Sequence, residues 1–106
     1  DMEALDGGRA NLINKTQRTT VAKAFCETIT NSGYKAGIYT NNSYLNSKID
    51  ITQLTDYSLW YSLWNSSSHY PYPTKYSFDI WQFDVAATKT VPGINAAVDV
   101  NAIFYP

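Results

Sequence analysis

Asp1-Met2-Glu3 opens the chain with two carboxylates two residues apart. In an extended segment side chains alternate, so both acids point to one face. Their Cα atoms then stand roughly 6.5 Å apart, at about 3.3 Å of rise per residue. Two acids on one patch suit the cleavage of a glycosidic bond. One carboxyl holds a proton for the leaving oxygen, and one ionised group faces the positive charge that develops on the sugar. A D-x-E triplet is also common on solvated surfaces, so the elements that position it must carry the decision.

Residues 1–5 read as the tail of a strand, and Asp6-Gly7-Gly8-Arg9 as a turn, since Gly-Gly adopts positive φ cheaply. Thr16 to Ser32 reads as a helix. Val21, Phe25 and Ile29 recur at i, i+4 and i+8, with Ala22 and Cys26 beside them as one apolar face. Thr16 is placed as the N-cap and Gly33 as the left-handed residue past the C-terminus. Lys35 to Thr40 reads as a short strand, and Asn41-Asn42-Ser43 as the cap of a short helix through about Lys48. Tyr57 to Leu63 reads as a further strand, and Asn65 to Lys75, rich in Ser, Tyr and Pro, as a loop. Ser77 to Asp84 returns to strand, with Ile80 and Gln82 on one face and Trp81 and Phe83 on the other. Pro92-Gly93 marks a turn, Ala96 to Val100 a last strand, and Ala102-Ile103-Phe104 a closing helical turn.

The early alternation of strand and helix favours parallel βαβ units, whereas the later strands, joined by short turns, favour antiparallel hairpins. A parallel strand at the open edge of a small sheet exposes its ladder. A chain that starts inside a strand, with its acids at the edge, is therefore expected to be the back half of something larger.

At 106 residues the chain is one domain at most, able to bury about two-thirds of its unfolded surface. A net charge of -1 leaves no basic stripe for nucleic acid or an anionic membrane. Nine Tyr and three Trp exceed the needs of a small core. Their apolar faces and polar edges suit a sugar-binding surface as well as an interior. Cys26 is the only cysteine, so no intrachain disulfide can form. His69 and Cys26 lie far apart in sequence and match no metal-ligand spacing, so neither a metal nor a cofactor is expected. No apolar run reaches the roughly 18 residues of a membrane-spanning helix.

The ordered motifs now resemble one family. Asp1-Met2-Glu3, the helix with Phe25-Cys26, and Gly33-Tyr34-Lys35-Ala36-Gly37-Ile38-Tyr39-Thr40-Asn41 come first. Leu59-Trp60-Tyr61, Ile80-Trp81-Gln82-Phe83, Pro92-Gly93-Ile94 and Val98-Asp99-Val100-Asn101 follow in order. Together they are similar to the later part of a glycoside hydrolase family 25 lysozyme, across essentially the whole chain. The resemblance implies an α/β fold that is a partial (β/α) barrel. It would be the C-terminal half of an irregular barrel with five β/α units and three further strands, with residues 1–106 the C-terminal portion of a single catalytic domain. It implies hydrolysis of the β-1,4 bond between N-acetylmuramic acid and N-acetylglucosamine in peptidoglycan glycan strands, outside the cell or in its wall. Family members begin with a strand carrying Asp-x-Ser-x-x-Gln and about three β/α units that this chain lacks. By the resemblance, about half of the enzyme is here.

Carried over by position, Glu3 is the general acid, which must keep its proton near neutral pH. Asp1 supplies a neighbouring charge, orients the substrate's N-acetyl group, stabilises an oxocarbenium-like transition state or acts as nucleophile, and these alternatives stay open. Asp99 is the carboxylate from the far end of the chain, pointing opposite to Val98 and Val100; a strand-end cap or salt bridge is its plain alternative. Tyr39 and Trp60 match groove-lining positions, with core packing as their alternative. Gln82 matches a hydrogen-bonding position, whereas Trp81 reads as structural. His69 reads as a solvated loop residue and Cys26 as an inert buried thiol. Two readings compete with the enzyme: a non-catalytic remnant that still binds cell-wall glycan, and a half-barrel that completes itself with a second copy or with the missing N-terminal half.

Overall fold

The computed structural model describes residues 1–64, 75–85 and 91–104. Four strands, β1 (Gly37–Asn41), β2 (Ser58–Ser62), β3 (Ile80–Val85) and β4 (Asp99–Ile103), form one sheet in the order β1-β2-β3-β4. The first two pairings are parallel and the third is antiparallel. The hairpin expectation therefore holds for β3 and β4 but not for β2 and β3. β2 ends at Ser62 and β3 begins at Ile80, and a parallel pair is joined by a long connection. Most of that connection, including His69 and nearly all of the expected 65–75 loop, lies outside the described residues.

Helix α1 (Lys15–Asn31) precedes β1. Its N-cap is Asn14 rather than Thr16. The Gln17 amide donates to Asn14 Oδ1 at 2.9 Å and the Asn14 amide to Gln17 Oε1 at 3.0 Å, a reciprocal pair that satisfies two otherwise orphaned donors. The C-terminus closes as expected. Gly33 takes φ +88°, and the amides of Gly33 and Tyr34 donate to the carbonyls of Thr30 and Ile29.

The buried face of α1 differs from the apolar stripe in the sequence. Arg18, Thr19, Ala22 and Cys26 are buried, while Val21 and Phe25 are more than half exposed. Ala22 and Cys26 join Ala36, Ile38 and Leu54 in one buried cluster. The two polar side chains are satisfied: Arg18 Nε donates to the Ala10 carbonyl at 2.8 Å, and Thr19 Oγ1 accepts from the Asp50 amide at 2.9 Å. Burial pushes the Cys26 thiol up, in keeping with an inert role.

Short turns complete the frame: 3₁₀ turns at Arg9–Leu12 and Ile51–Gln53, and a π-type turn at Tyr44–Lys48 where a short helix is expected. Asn41 caps that last turn, its Oδ1 accepting from the Tyr44 amide. Val91-Pro92-Gly93-Ile94 is a turn closed by the Ile94 amide on the Val91 carbonyl, with Gly93 at φ +87°. The last strand falls at Asp99–Ile103, not Ala96–Val100, and the expected closing helical turn is part of it. Pairing with β3 sets this register: Val85 faces Asp99 and Ile80 faces Ile103.

Side chains alternate across the sheet. Ile38, Leu59, Tyr61 and Trp81 point to one face and join two buried clusters with Tyr44, Leu45, Ile49, Ala22, Cys26 and Leu54. Trp81 Nε1 donates to the Leu63 carbonyl at 2.9 Å, which fits its structural reading. Tyr39, Trp60, Gln82 and Asn101 project from the other face, and no helix covers it among the described residues.

Candidate active site

The uncovered sheet face is the floor of an open groove of about 590 Å³. Tyr39 of β1, Trp60 of β2, Gln82 of β3 and Asp99 of β4 line it together with Asp1, Glu3 and Phe25. All six residues singled out in the sequence thus meet in one place. The N-terminal segment reaches it by a single parallel bridge from Met2 to Thr40. The Met2 amide donates to the Tyr39 carbonyl at 2.8 Å, and Thr40 Oγ1 donates to the Met2 carbonyl at 2.6 Å. Met2 packs against the core, so alternation sends Asp1 and Glu3 to the groove side.

The acids occupy the end of the groove where the parallel strands finish. Met2 pairs beside Thr40, near the end of β1, and Asp99 faces Val85 at the end of β3. Ligand sites in parallel α/β sheets gather at that edge, because the connections that follow the strands open there. Glu3 is half-buried, whereas Asp1 and Asp99 are exposed.

The aromatic residues are held rigidly. The Tyr39 and Trp60 rings meet edge to face, 5.1 Å between centroids and 79° between planes. Trp60 Nε1 donates to Asn101 Oδ1 at 2.7 Å, and Tyr39 Oη donates to Gln82 Oε1 at 2.8 Å. Gln82 is 4% exposed, and the same oxygen also accepts from Trp64 Nε1 at 2.9 Å and Ser62 Oγ at 3.2 Å. Ser62, Trp64 and Asn101 were not singled out in the sequence. The signal for them was alternation: Trp60, Ser62 and Trp64 share one face of the chain, as do Asp99 and Asn101. Phe25 also lines the groove rather than the core.

A second hollow of about 680 Å³ lies on the core side of the sheet, among Leu45, Ile49, Leu54, Tyr57 and Leu59. Its one carboxylate among the described residues, Asp50, is engaged by Thr52 and Gln53, which hold it below the usual carboxylate range. It offers no second acid among the described residues, whereas the first groove holds Asp1, Glu3 and Asp99. Among the described residues no helix is long and apolar enough to cross a membrane.

An α/β sheet with one face buried and the other lined by acids, aromatics and a fixed amide defines the class of domain. The family is then plain: residues 1–94 match the family model of glycosyl hydrolases family 25, and the chain belongs to that family. Among solved structures the fold is similar to that of the CTP1L endolysin, whose activity is regulated by a secondary translation product. The two share 23% identity with a TM-score of 0.62, over 80% of this chain and 29% of that one. No curated protein matches the chain.

Proposed function

We propose that this chain is the C-terminal part of a family 25 catalytic domain that hydrolyses peptidoglycan, outside the cell or in its wall. The bond is the β-1,4 link between N-acetylmuramic acid and N-acetylglucosamine. The observation that carries the reading is the gathering of Asp1, Glu3, Asp99, Tyr39, Trp60 and Gln82 around one groove, in a chain of this family. Strand order supports the barrel. Met2, β1, β2, β3 and β4 are neighbours in chain order, the one-way progression of a barrel rather than the reversal of a doubly wound sheet.

In this reading Glu3 gives its proton to the leaving glycosidic oxygen as the bond to the anomeric carbon breaks. Asp1 sets negative charge against the oxocarbenium-like centre, and Glu3, now ionised, takes a proton from the attacking water. Asp99 faces the sugar from β4, across the sheet from Asp1 and Glu3. Tyr39 and Trp60 offer apolar ring surface to the pyranose.

Turbidity loss of bacterial cell walls tests the assignment. Glu3→Gln keeps the shape of the side chain but removes the proton donor, and lysis is expected to fall by at least about a hundredfold. Undiminished lysis sinks the role given to Glu3. Binding of walls by the unaltered protein, with no release of reducing ends, selects the non-catalytic glycan-binding reading instead.

A further inference from the structure

Three donors converge on one atom, Gln82 Oε1: Tyr39 Oη, Trp64 Nε1 and Ser62 Oγ, at 2.8, 2.9 and 3.2 Å. An indole N–H can only donate, so the atom it meets must be the amide oxygen and not the nitrogen. The orientation of this amide is therefore fixed by chemistry. Its nitrogen, with two N–H groups, has to point away from all three donors.

Gln82 Nε2 has no partner among the described residues, yet none of their buried polar side-chain atoms is left without one. The nitrogen therefore keeps contact with open space, and the space Gln82 lines is the groove. A side chain only 4% exposed thus presents a donor from the groove floor. Beside it stand the Tyr39 and Trp60 rings. A fixed donor next to an aromatic wall matches an acetamido group, which carries a carbonyl oxygen and a methyl together. A ring hydroxyl offers the donor an acceptor but brings no methyl beside it, and a carboxylate would be repelled by the acids that share the groove.

We infer that Gln82 Nε2 donates to the acetamido carbonyl of an N-acetylated sugar, and that Trp64 is a positioning residue that holds the amide for it. The inference rests on the glycan-hydrolase reading and specifies which part of the sugar the groove recognises. A neutral sugar lacking the acetamido group leaves the donor unpaired, and a site built to hydrogen-bond a group discriminates against the analogue without it.

Two neutral β-1,4 tetrasaccharides separate the cases: one of N-acetylglucosamine, one of glucose. The protein is labelled with nitrogen-15, and the Gln82 side-chain amide signals are identified by their absence in Gln82→Glu. In that variant a carboxylate oxygen accepts the same three bonds. The Gln82 signals are expected to shift with the N-acetylglucosamine tetramer and to stay in place with the glucose tetramer. If Gln82 stays unmoved while the indole signal of Trp60 shifts with the first sugar, the acetamido assignment is overturned and the glycan reading stands. If no groove signal moves with either sugar, the glycan reading falls and takes the inference with it. Trp64→Phe keeps the ring and removes the donor. It is expected to raise KM for soluble peptidoglycan glycan about threefold with kcat within about twofold. An unchanged KM overturns the role of Trp64, and equal losses in both parameters with a lowered melting temperature mark it as merely structural.

Discussion

At the scale of single residues, the placement of the acids depends on one hydroxyl. Thr40 is fully buried, and its Oγ1 donates to the Met2 carbonyl between Asp1 and Glu3. Asp1-Met2-Glu3 has no other side-chain hydrogen bond among the described residues and only one bridge to β1. Thr40→Val preserves the shape but leaves that carbonyl unpaired, at a cost of about 1–3 kcal/mol. The larger consequence is positional, since displacement of a catalytic group by about 1 Å can cost roughly a hundredfold in rate. Wall lysis is expected to fall tenfold or more while circular dichroism keeps the native spectrum. Full lysis with only a lowered melting temperature would show that Thr40 stabilises the fold without aiming the acids.

At the scale of elements, helix α1 shows what the sequence could and could not disclose. Its existence, length and glycine-closed end followed from spacing and from Gly33. Its buried face followed in part: Ala22 and Cys26 are inside and Ile29 packs beside them, but hydropathy also assigned Val21 and Phe25 to the core. Polar Arg18 and Thr19 take inward places instead, made acceptable by their hydrogen bonds. Two substitutions separate the faces. Val21→Lys is expected to change stability by no more than about 0.5 kcal/mol. Ala22→Lys must force a charge into a space 5% exposed and is expected to cost several times that. Chemical denaturation of both variants measures the difference; equal losses would contradict the observed face. The groove residues were easier to place than the elements bearing them. Alternation has a period of two, so Gln82 and Asp99 kept their face although the start of β4 was misplaced by three residues. Alternation also puts Ser62, Trp64 and Asn101 on the groove face, but it does not disclose their roles, because a hydrogen bond across a sheet leaves no trace in local pattern.

At the scale of the whole molecule, the sheet is open along β1. Among the described residues β4 pairs with β3 alone, and the outer edge of β1 meets nothing beyond the bridge at Met2. Next to that edge Val21 and Phe25, one turn apart on α1, are 56% and 57% exposed, and Phe25 reaches the groove beside Asp1 and Glu3. An unpaired strand edge next to an apolar stripe is a template for association. The chain spans 29% of the length of the endolysin it resembles, and in the proposed barrel that edge and stripe belong against the preceding strands. The 106 residues expressed alone are therefore expected to associate with one another as concentration rises. Sedimentation equilibrium measures this directly. Val21→Lys combined with Phe25→Lys, both at exposed positions, is expected to leave a monomer with unchanged circular dichroism, because it charges the stripe without touching the core. A single chain that sediments as a compact monomer without those substitutions would show that the open edge needs no partner, and would remove the strongest structural reason for a barrel continued by other strands.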